Sequence, residues 1–266
     1  MNSGSRLLVM RRNWLAMVAA VAAIVWAGDR LRAESVVTRA TTEINIVADD
    51  AEWVVFLHGL ARSGKSMRKA AKAFGEAGFN TCVVDYPSTT ADIATLARES
   101  VSPAIVDCVP EGVAAHFVTH SMGGIMVRQI AHDALPPDIG RVVMLAPPNQ
   151  GSEVVDSIRH WRAFDAVNGP AGGELGTDDD SVPNRLGPVS FETGVIAGTR
   201  SINWINSSTM IEGKDDGKVS VERTQVEGMS DFRVVPATHT FIMKKRNVIE
   251  LAIRFIATGE FGEEDE

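Results

Sequence analysis

Short apolar stretches recur along the chain, and each ends abruptly in glycine, proline, histidine or aspartate. Trp53 to Leu57 is a continuous apolar run, the mark of a strand buried on both faces of a parallel sheet. Thr81 to Val84, Ala114 to Val118, Arg141 to Ala146, Gly194 to Thr199 and Phe232 to Val235 read as further strands, and Glu43 to Val47 as an edge strand. Between them lie helical patterns. Ser66 to Phe79 places Met67, Ala70, Ala71, Phe74 and Gly78 at helical spacing, and Ile125, Met126, Ile130, Ala134 and Leu135 do the same after Ser121. Ala91 to Cys108 is a third helical segment, with a kink expected near Pro103, and Asn247 to Thr258 the last helix. Strands alternating with helices predict an α/β fold, an open and mostly parallel sheet with helices on both faces.

One region breaks the rhythm. Gly151 to Pro188 opens with Val154, Val155, Ile158 and Trp161 at helical spacing and then turns rich in Gly, Pro and Asp. It reads as a cap or lid inserted over the sheet, about residues 152–190. Asp178-Asp179-Asp180 fits a solvated loop there, and Ser201 to Gly217 a polar loop. The core domain is expected to span residues 34–258, with residues 259–266 as an acidic disordered tail.

At 266 residues the chain is long enough for one α/β domain with a full core. A net charge of −8 argues against non-specific nucleic-acid binding, which needs a basic face. Residues 1–33 read as a targeting segment. Arg6, Arg11 and Arg12 precede the uncharged stretch Trp14 to Gly28, short for a membrane span and suited to a signal sequence. Neither Leu31-Arg32-Ala33 nor Val25-Trp26-Ala27 is a good cleavage site, so a removed signal peptide and a retained membrane anchor through residues 14–28 both stand. Arg11-Arg12-Asn13-Trp14-Leu15 also bears a faint likeness to a twin-arginine signal. Either way the body of the protein is expected to be exported, periplasmic or anchored at the inner membrane. The two cysteines, Cys82 and Cys108, offer no C-x-x-C pair. Cys82 begins a strand at the bottom edge of the sheet, and a right-handed crossover could return Cys108 to that edge. A disulfide and two small buried thiols both remain open.

The chemistry centres on His120-Ser121-Met122-Gly123-Gly124. Strand, sharp turn, helix is the setting in which a strained serine stands clear at the top of a sheet. Small residues two before and two after the serine let strand and helix approach. Gly123 supplies one, and Thr119 stands where glycine is usual. Serine needs a base, and the base an orienting carboxylate. Downstream histidines are His132, His160 and His239. His132 lies on the helix after the turn and His160 in the cap, whereas His239 follows the last strand, where the base belongs. For the acid, Asp216 is preferred because Gly217 permits the turn that aims it, with Asp215 as fallback. Oxyanion donors are expected to be the backbone N–H groups of Met122 and Leu60. His58 is expected to pack beneath that loop. Trp161 and Phe164, with Trp204 beyond, are candidates to line an acyl pocket. No metal or cofactor is required.

Together, His58-Gly59, Thr119 to Gly124, Asp216-Gly217 and His239 resemble the α/β-hydrolase superfamily, over about residues 50–258. Asp85-Tyr86-Pro87-Ser88 and Ala146 to Ser152 resemble its bacterial lipase and esterase branch. The resemblance implies a serine hydrolase that cleaves carboxylic esters through an acyl-enzyme, acting on a small-molecule or lipid ester. Two other classes compete. Gly59 to Ser66 matches the phosphate-binding pattern G-x-x-x-x-G-K-[ST] after a strand and before a helix, with Asp85 as a strand-end metal ligand. That reading leaves Ser121, Asp216 and His239 unexplained and needs a nucleotide in an exported compartment. A catalytically silent binding protein on the same fold would keep the architecture, although nothing in the triad is missing.

Overall fold

The computed structural model describes residues 37–201, 211 and 213–263. The expectations for residues 1–33, for Trp204 and for residues 264–266 lie outside the described residues.

Seven strands form one sheet: β1 Thr41–Asn45, β2 Trp53–Leu57, β3 Asn80–Asp85, β4 Ala115–His120, β5 Ile139–Leu145, β6 Thr193–Gly198 and β7 Asp231–Val235. Their spatial order is β1-β3-β2-β4-β5-β6-β7. Only β1 runs antiparallel, lying against β3 with Ile44 opposite Cys82. The sheet is thus the mostly parallel one that the apolar runs predict.

The order of strands locates the site. From β2 the chain moves outward to β3, then returns across β2 to β4 and continues away in the other direction. Such a reversal opens a crevice at the carboxyl ends of the two central strands, where ligands bind in open α/β sheets. Beyond β2 comes His58-Gly59-Leu60, and beyond β4 comes Ser121.

Helices cover both faces. The alternation along β2 sends Val54 and Phe56 to one side and Trp53, Val55 and Leu57 to the other. On the first side they pack with Ala70 and Phe74 of α1 (Arg68–Glu76) and with Val248 and Phe255 of the final helix. On the second they pack with Ile93, Leu96, Ile105 and Ile125. These residues belong to α2 (Ile93–Leu96), α3 (Ser102–Val106) and α4 (Met122–His132), and a π turn at Ala97–Val101 joins α2 to α3. The expected kink is this turn. Pro103 has no N–H to give to the carbonyl of Glu99, so the ladder shifts register just before it.

The insertion after β5 holds α5 (Glu153–Ile158), α6 (Arg162–Gly173) and α7 (Val182–Arg185). Pro170 and the left-handed Gly169 kink α6. The final helix is α8 (Arg246–Thr258). The tail expectation needs correction at its start. Phe261 is buried with its ring centroid 5.0 Å from that of Phe255, and its N–H donates to Asp231 Oδ2 at 2.7 Å. An aromatic ring three residues past the end of α8 is apolar enough to continue the core.

Cys82 and Cys108 are joined, with Cα atoms 6.4 Å apart. The bridge does not sit at the sheet's bottom edge, as expected from the sequence. Cys82 is the third residue of β3, opposite Val55, and Cys108 lies in the turn just past α3. The crosslink closes a loop with a sequence separation of 26. Loop-closure entropy of that length corresponds to about 3 kcal/mol. Denaturant unfolding of a Cys82→Ser/Cys108→Ser variant is expected to show a loss of that size. Non-reducing peptide mapping should recover the two half-cystines in one disulfide-linked pair; two free thiols in protein from an oxidising compartment would contradict the bond.

Candidate active site

Ser121 follows the last residue of β4 and precedes α4, with φ 54° and ψ −125°. A left-handed φ at a serine costs on the order of 1–3 kcal/mol and persists only where its surroundings impose it. Its N–H is held by the carbonyl of Leu145 at 2.9 Å, and its own carbonyl accepts from the N–H of Gly124. The glycine two residues on is required by packing. A Cβ on Gly123 would sit 2.6 Å from the carbonyl oxygen of Leu57. Thr119, two residues before the serine, is tolerated because it is fully buried within the sheet and turns its hydroxyl to the carbonyl of Val143 at 3.4 Å.

The Ser121 hydroxyl donates to His239 Nε2 at 3.0 Å, and His239 Nδ1–H donates to Asp216 Oδ2 at 2.8 Å. Asp216 is 2 % exposed and His239 4 %. The other Asp216 oxygen accepts the N–H groups of Lys218 and Val219, both at 3.0 Å. Asp215 turns the other way and caps the N–H of Gly217 at 2.7 Å. Of the two adjacent aspartates, only Asp216 meets the imidazole.

A cavity of about 250 Å³ opens beside Ser121 and His239. Its apolar wall comes from Leu60 and from the cap: Val154, Val155, Ile158, Phe164 and Leu175. Gly59 brings the loop after β2 against the serine, and a Cβ there would lie 2.9 Å from that of Ser121. The N–H groups of Leu60 and Met122 donate to no acceptor among the described residues. Phe164 lines the cavity, but Trp161 does not; it is 57 % exposed and stands edge-on to His160. The helical spacing that grouped it with Ile158 stops short, because α5 ends at Ile158 and the chain turns before α6. Arg62 and Lys218 also line the cavity, and the sequence analysis did not single them out. Lys218 follows Asp216-Gly217 directly, which is the one signal that pointed to it.

The family model of the alpha/beta hydrolase family matches residues 54–223. The chain belongs to the alpha/beta hydrolase family. No curated protein sequence matches it. Among solved structures, this hydrolase is similar to a lipase from Bacillus licheniformis in its mature form, at 19% identity and TM-score 0.61, covering 82% of this chain and 97% of the other. A phospholipase from Legionella pneumophila aligns at 18% identity and TM-score 0.60, over 79% of this chain and 60% of the other. A monoacylglycerol lipase from Paleococcus ferrophilus aligns at 15% identity and TM-score 0.54, over 84% of this chain and all of the other. At these identities the likeness is one of fold.

Two further histidines pack around the candidate site without joining it. His58 is fully buried. Its Nδ1–H donates to the carbonyl of Gly59 at 2.8 Å, its Nε2 accepts the N–H of Tyr86 at 3.2 Å, and its ring stacks on that of Tyr86 at 4.2 Å. Burial holds its pKa below the usual range despite Asp85 nearby, so the ring is neutral. His120 donates from Nε2 to the backbone carbonyl of His239 at 2.9 Å. Burial, and then the neighbouring His239, Arg62 and Lys218, push its pKa well down.

The Gly59–Ser66 stretch forms no phosphate cradle. Gly59 is pressed against Ser121, Gly64–Ser66 is a single 3-10 turn, and the Ser66 hydroxyl is tied to the carbonyl of Ser63 at 2.8 Å. Arg128 of α4 links the site to the cap. It donates to the carbonyls of Asn149, Pro183 and Gly187, and burial pulls its pKa down to about 10. Among the described residues no helix is long and apolar enough to cross a membrane.

Two outcomes follow from this packing. Gly123→Ala should lower the melting temperature and impair whatever chemistry Ser121 performs, since either the helix or the β2 terminus must move. Stability should also fall between pH 7 and pH 5. Burial depresses the pKa of His58, His116 and His120. Below the unfolded histidine value of about 6.5 the unfolded chain therefore takes up protons that the native state refuses. Urea midpoints at the two pH values test this, and an unchanged midpoint would contradict neutral burial.

Proposed function

We propose that the protein is a serine hydrolase of carboxylic esters that works without a metal or cofactor. The observation carrying this reading is the continuous hydrogen-bonded line from Ser121 through His239 to Asp216 at 3.0 and 2.8 Å, placed at the mouth of the sheet crevice.

Ser121 Oγ attacks the ester carbonyl while His239 Nε2 takes its proton. Asp216, buried against Nδ1–H, keeps the imidazole in the correct tautomer and stabilises the imidazolium that forms. The carbonyl oxygen becomes an oxyanion, received by the N–H groups of Leu60 and Met122. As the tetrahedral adduct collapses, His239 delivers the proton to the departing alcohol. A water then enters by the same route in reverse and releases the acid from Ser121.

The apolar cap wall suits an acyl chain, and Phe164 is the aromatic that reaches it. A lipid or small-molecule ester is the substrate class proposed. The lipase and phospholipase names of the similar structures agree with this reading. Export is proposed with it: the uncharged stretch at residues 14–28 and the disulfide both suit an oxidising compartment.

Ser121→Ala should lower turnover of a p-nitrophenyl ester by several decades and abolish labelling by a fluorophosphonate. Asp216→Asn should cost far more activity than Asp215→Asn. A Ser121→Ala protein that keeps more than a few per cent of activity sinks the assignment, and the reverse order of the two aspartate variants would move the acid by one position.

A further inference from the structure

The cavity beside Ser121 has two unlike ends. One is the apolar wall of the cap. The other is formed by Arg62, Lys218 and His239, and among the described residues no aspartate or glutamate lines the cavity. In a chain of net charge −8, a patch with two cations and no carboxylate runs against the average. Elsewhere on the described surface many arginines are answered by a carboxylate. Seven described arginines (68, 98, 141, 159, 223, 233 and 246) are each paired with a carboxylate. Neither Arg62 nor Lys218 has an ion pair or a side-chain hydrogen bond among the described residues. The nearest candidate partner is already committed: Asp216 gives one oxygen to His239 and the other to two backbone N–H groups.

The two cations come from two different loops at the cavity. Arg62 stands in the loop after β2 that carries Gly59 and Leu60, and Lys218 in the loop that carries Asp216. Crowding by protein around Lys218, whose tip still meets solvent, and the charge of Arg62 together lower the pKa of the ammonium. The charge of Asp216 acts on Lys218 in the other direction, but its oxygens are already taken by His239 and by backbone N–H groups, so neither cation has an ion pair among the described residues.

Resting on the reading of Ser121 as nucleophile, we propose that Arg62 and Lys218 form a subsite for a phosphate group borne by the alcohol part of the ester. A guanidinium fork and an ammonium point charge can share the oxygens of one tetrahedral anion. The acyl chain occupies the cap wall, so the alcohol is left on the side of His239, which protonates it, and of Lys218 in the neighbouring loop. In the reaction the Ser121 Oγ–carbonyl bond forms, the carbonyl–alkoxy bond breaks, and the serine's proton passes through His239 to the alkoxide. Water then cleaves the acyl-serine, and the products are a fatty acid and a phosphate-bearing alcohol. The phosphate itself is untouched. The same chemistry would serve a lysophospholipid headgroup or a soluble short-chain ester of a phosphorylated alcohol.

The test compares 1-oleoylglycerol 3-phosphate with 1-oleoylglycerol, dispersed in the same neutral detergent, on the full chain. The phosphate is expected to raise kcat/KM by about tenfold or more, chiefly through KM, with sn-glycerol 3-phosphate competing against p-nitrophenyl butyrate. The preference should collapse in an Arg62→Gln/Lys218→Gln variant whose melting temperature matches the parent, and persist in part in Arg62→Lys. 1-Butanoylglycerol 3-phosphate supplies the soluble arm, with 1-butanoylglycerol as its control: a phosphate preference larger there than in the oleoyl pair assigns the subsite to a soluble phosphorylated ester rather than a lipid. Equal kcat/KM for the phosphorylated and plain glycerides, or a preference that survives the double glutamine variant, overturns the subsite. Failure of the parent to cleave p-nitrophenyl butyrate, or cleavage that survives Ser121→Ala, overturns the hydrolase reading instead.

Discussion

The contact on which this site depends is the approach of α4 to the carboxyl end of β2. With β2 and β4 as neighbouring parallel strands, a helix leaving β4 directly must cross the end of β2. There is no room for a side chain where it does so: a Cβ on Gly123 would meet the carbonyl of Leu57. The close crossing forces the turn at Ser121 into a left-handed conformation, and the surrounding sheet holds it there through the carbonyl of Leu145. The strain lifts the hydroxyl out of the sheet and aims it at the crevice. Gly59 imposes the same tightness from the β2 side, where a Cβ would meet that of Ser121.

Around this turn several polar side chains are buried and tied to the backbone. His58 and His120 each give one N–H to a backbone carbonyl and are kept neutral by burial. His239 alone faces both a carboxylate and the serine. His120 therefore contributes by holding the backbone of the His239 loop, and His58 by holding the loop that carries Leu60. Arg128 does for the cap what these histidines do for the loops. It binds three carbonyls from the segments that enter and leave the insertion, so the apolar cap wall is referenced to the same helix that positions Ser121. A buried guanidinium answered only by carbonyls is held by geometry, since removing any acceptor would leave an uncompensated charge.

The division of labour between core and rim follows. The side chains that set distances, His58, His120 and Arg128, are enclosed, while Arg62 and Lys218 line the cavity and are less buried. The sheet supplies rigidity, the cap supplies apolar surface, and loops from β2, β4, β6 and β7 supply the reactive groups.

What the amino-acid sequence determined by itself was whatever is local. The apolar runs named the strands. The small residues around Ser121 named the sharp turn, and the position of His239 after the last strand named the only histidine able to reach it. Each depends on neighbours within a few positions, where strand and helix periods are strong. Pairings between distant segments were decided only by tertiary structure. Asp215 and Asp216 are equivalent in the sequence, and one turn of backbone gives the first to Gly217 and the second to His239. The cysteine bridge depended on where α3 ends above the middle of β3. Trp161 continued a helical spacing on paper, but the helix stopped three residues earlier and left it exposed. Phe261 looked like the start of a tail, and a place beside Phe255 made it core. Nothing local joined Arg62, inside the Gly59–Ser66 stretch, to Lys218, which only its place after Asp216-Gly217 marked. They lie 156 positions apart, and nothing short of the folded sheet, which brings the loop after β2 and the loop carrying Asp216 to one opening, makes them a pair.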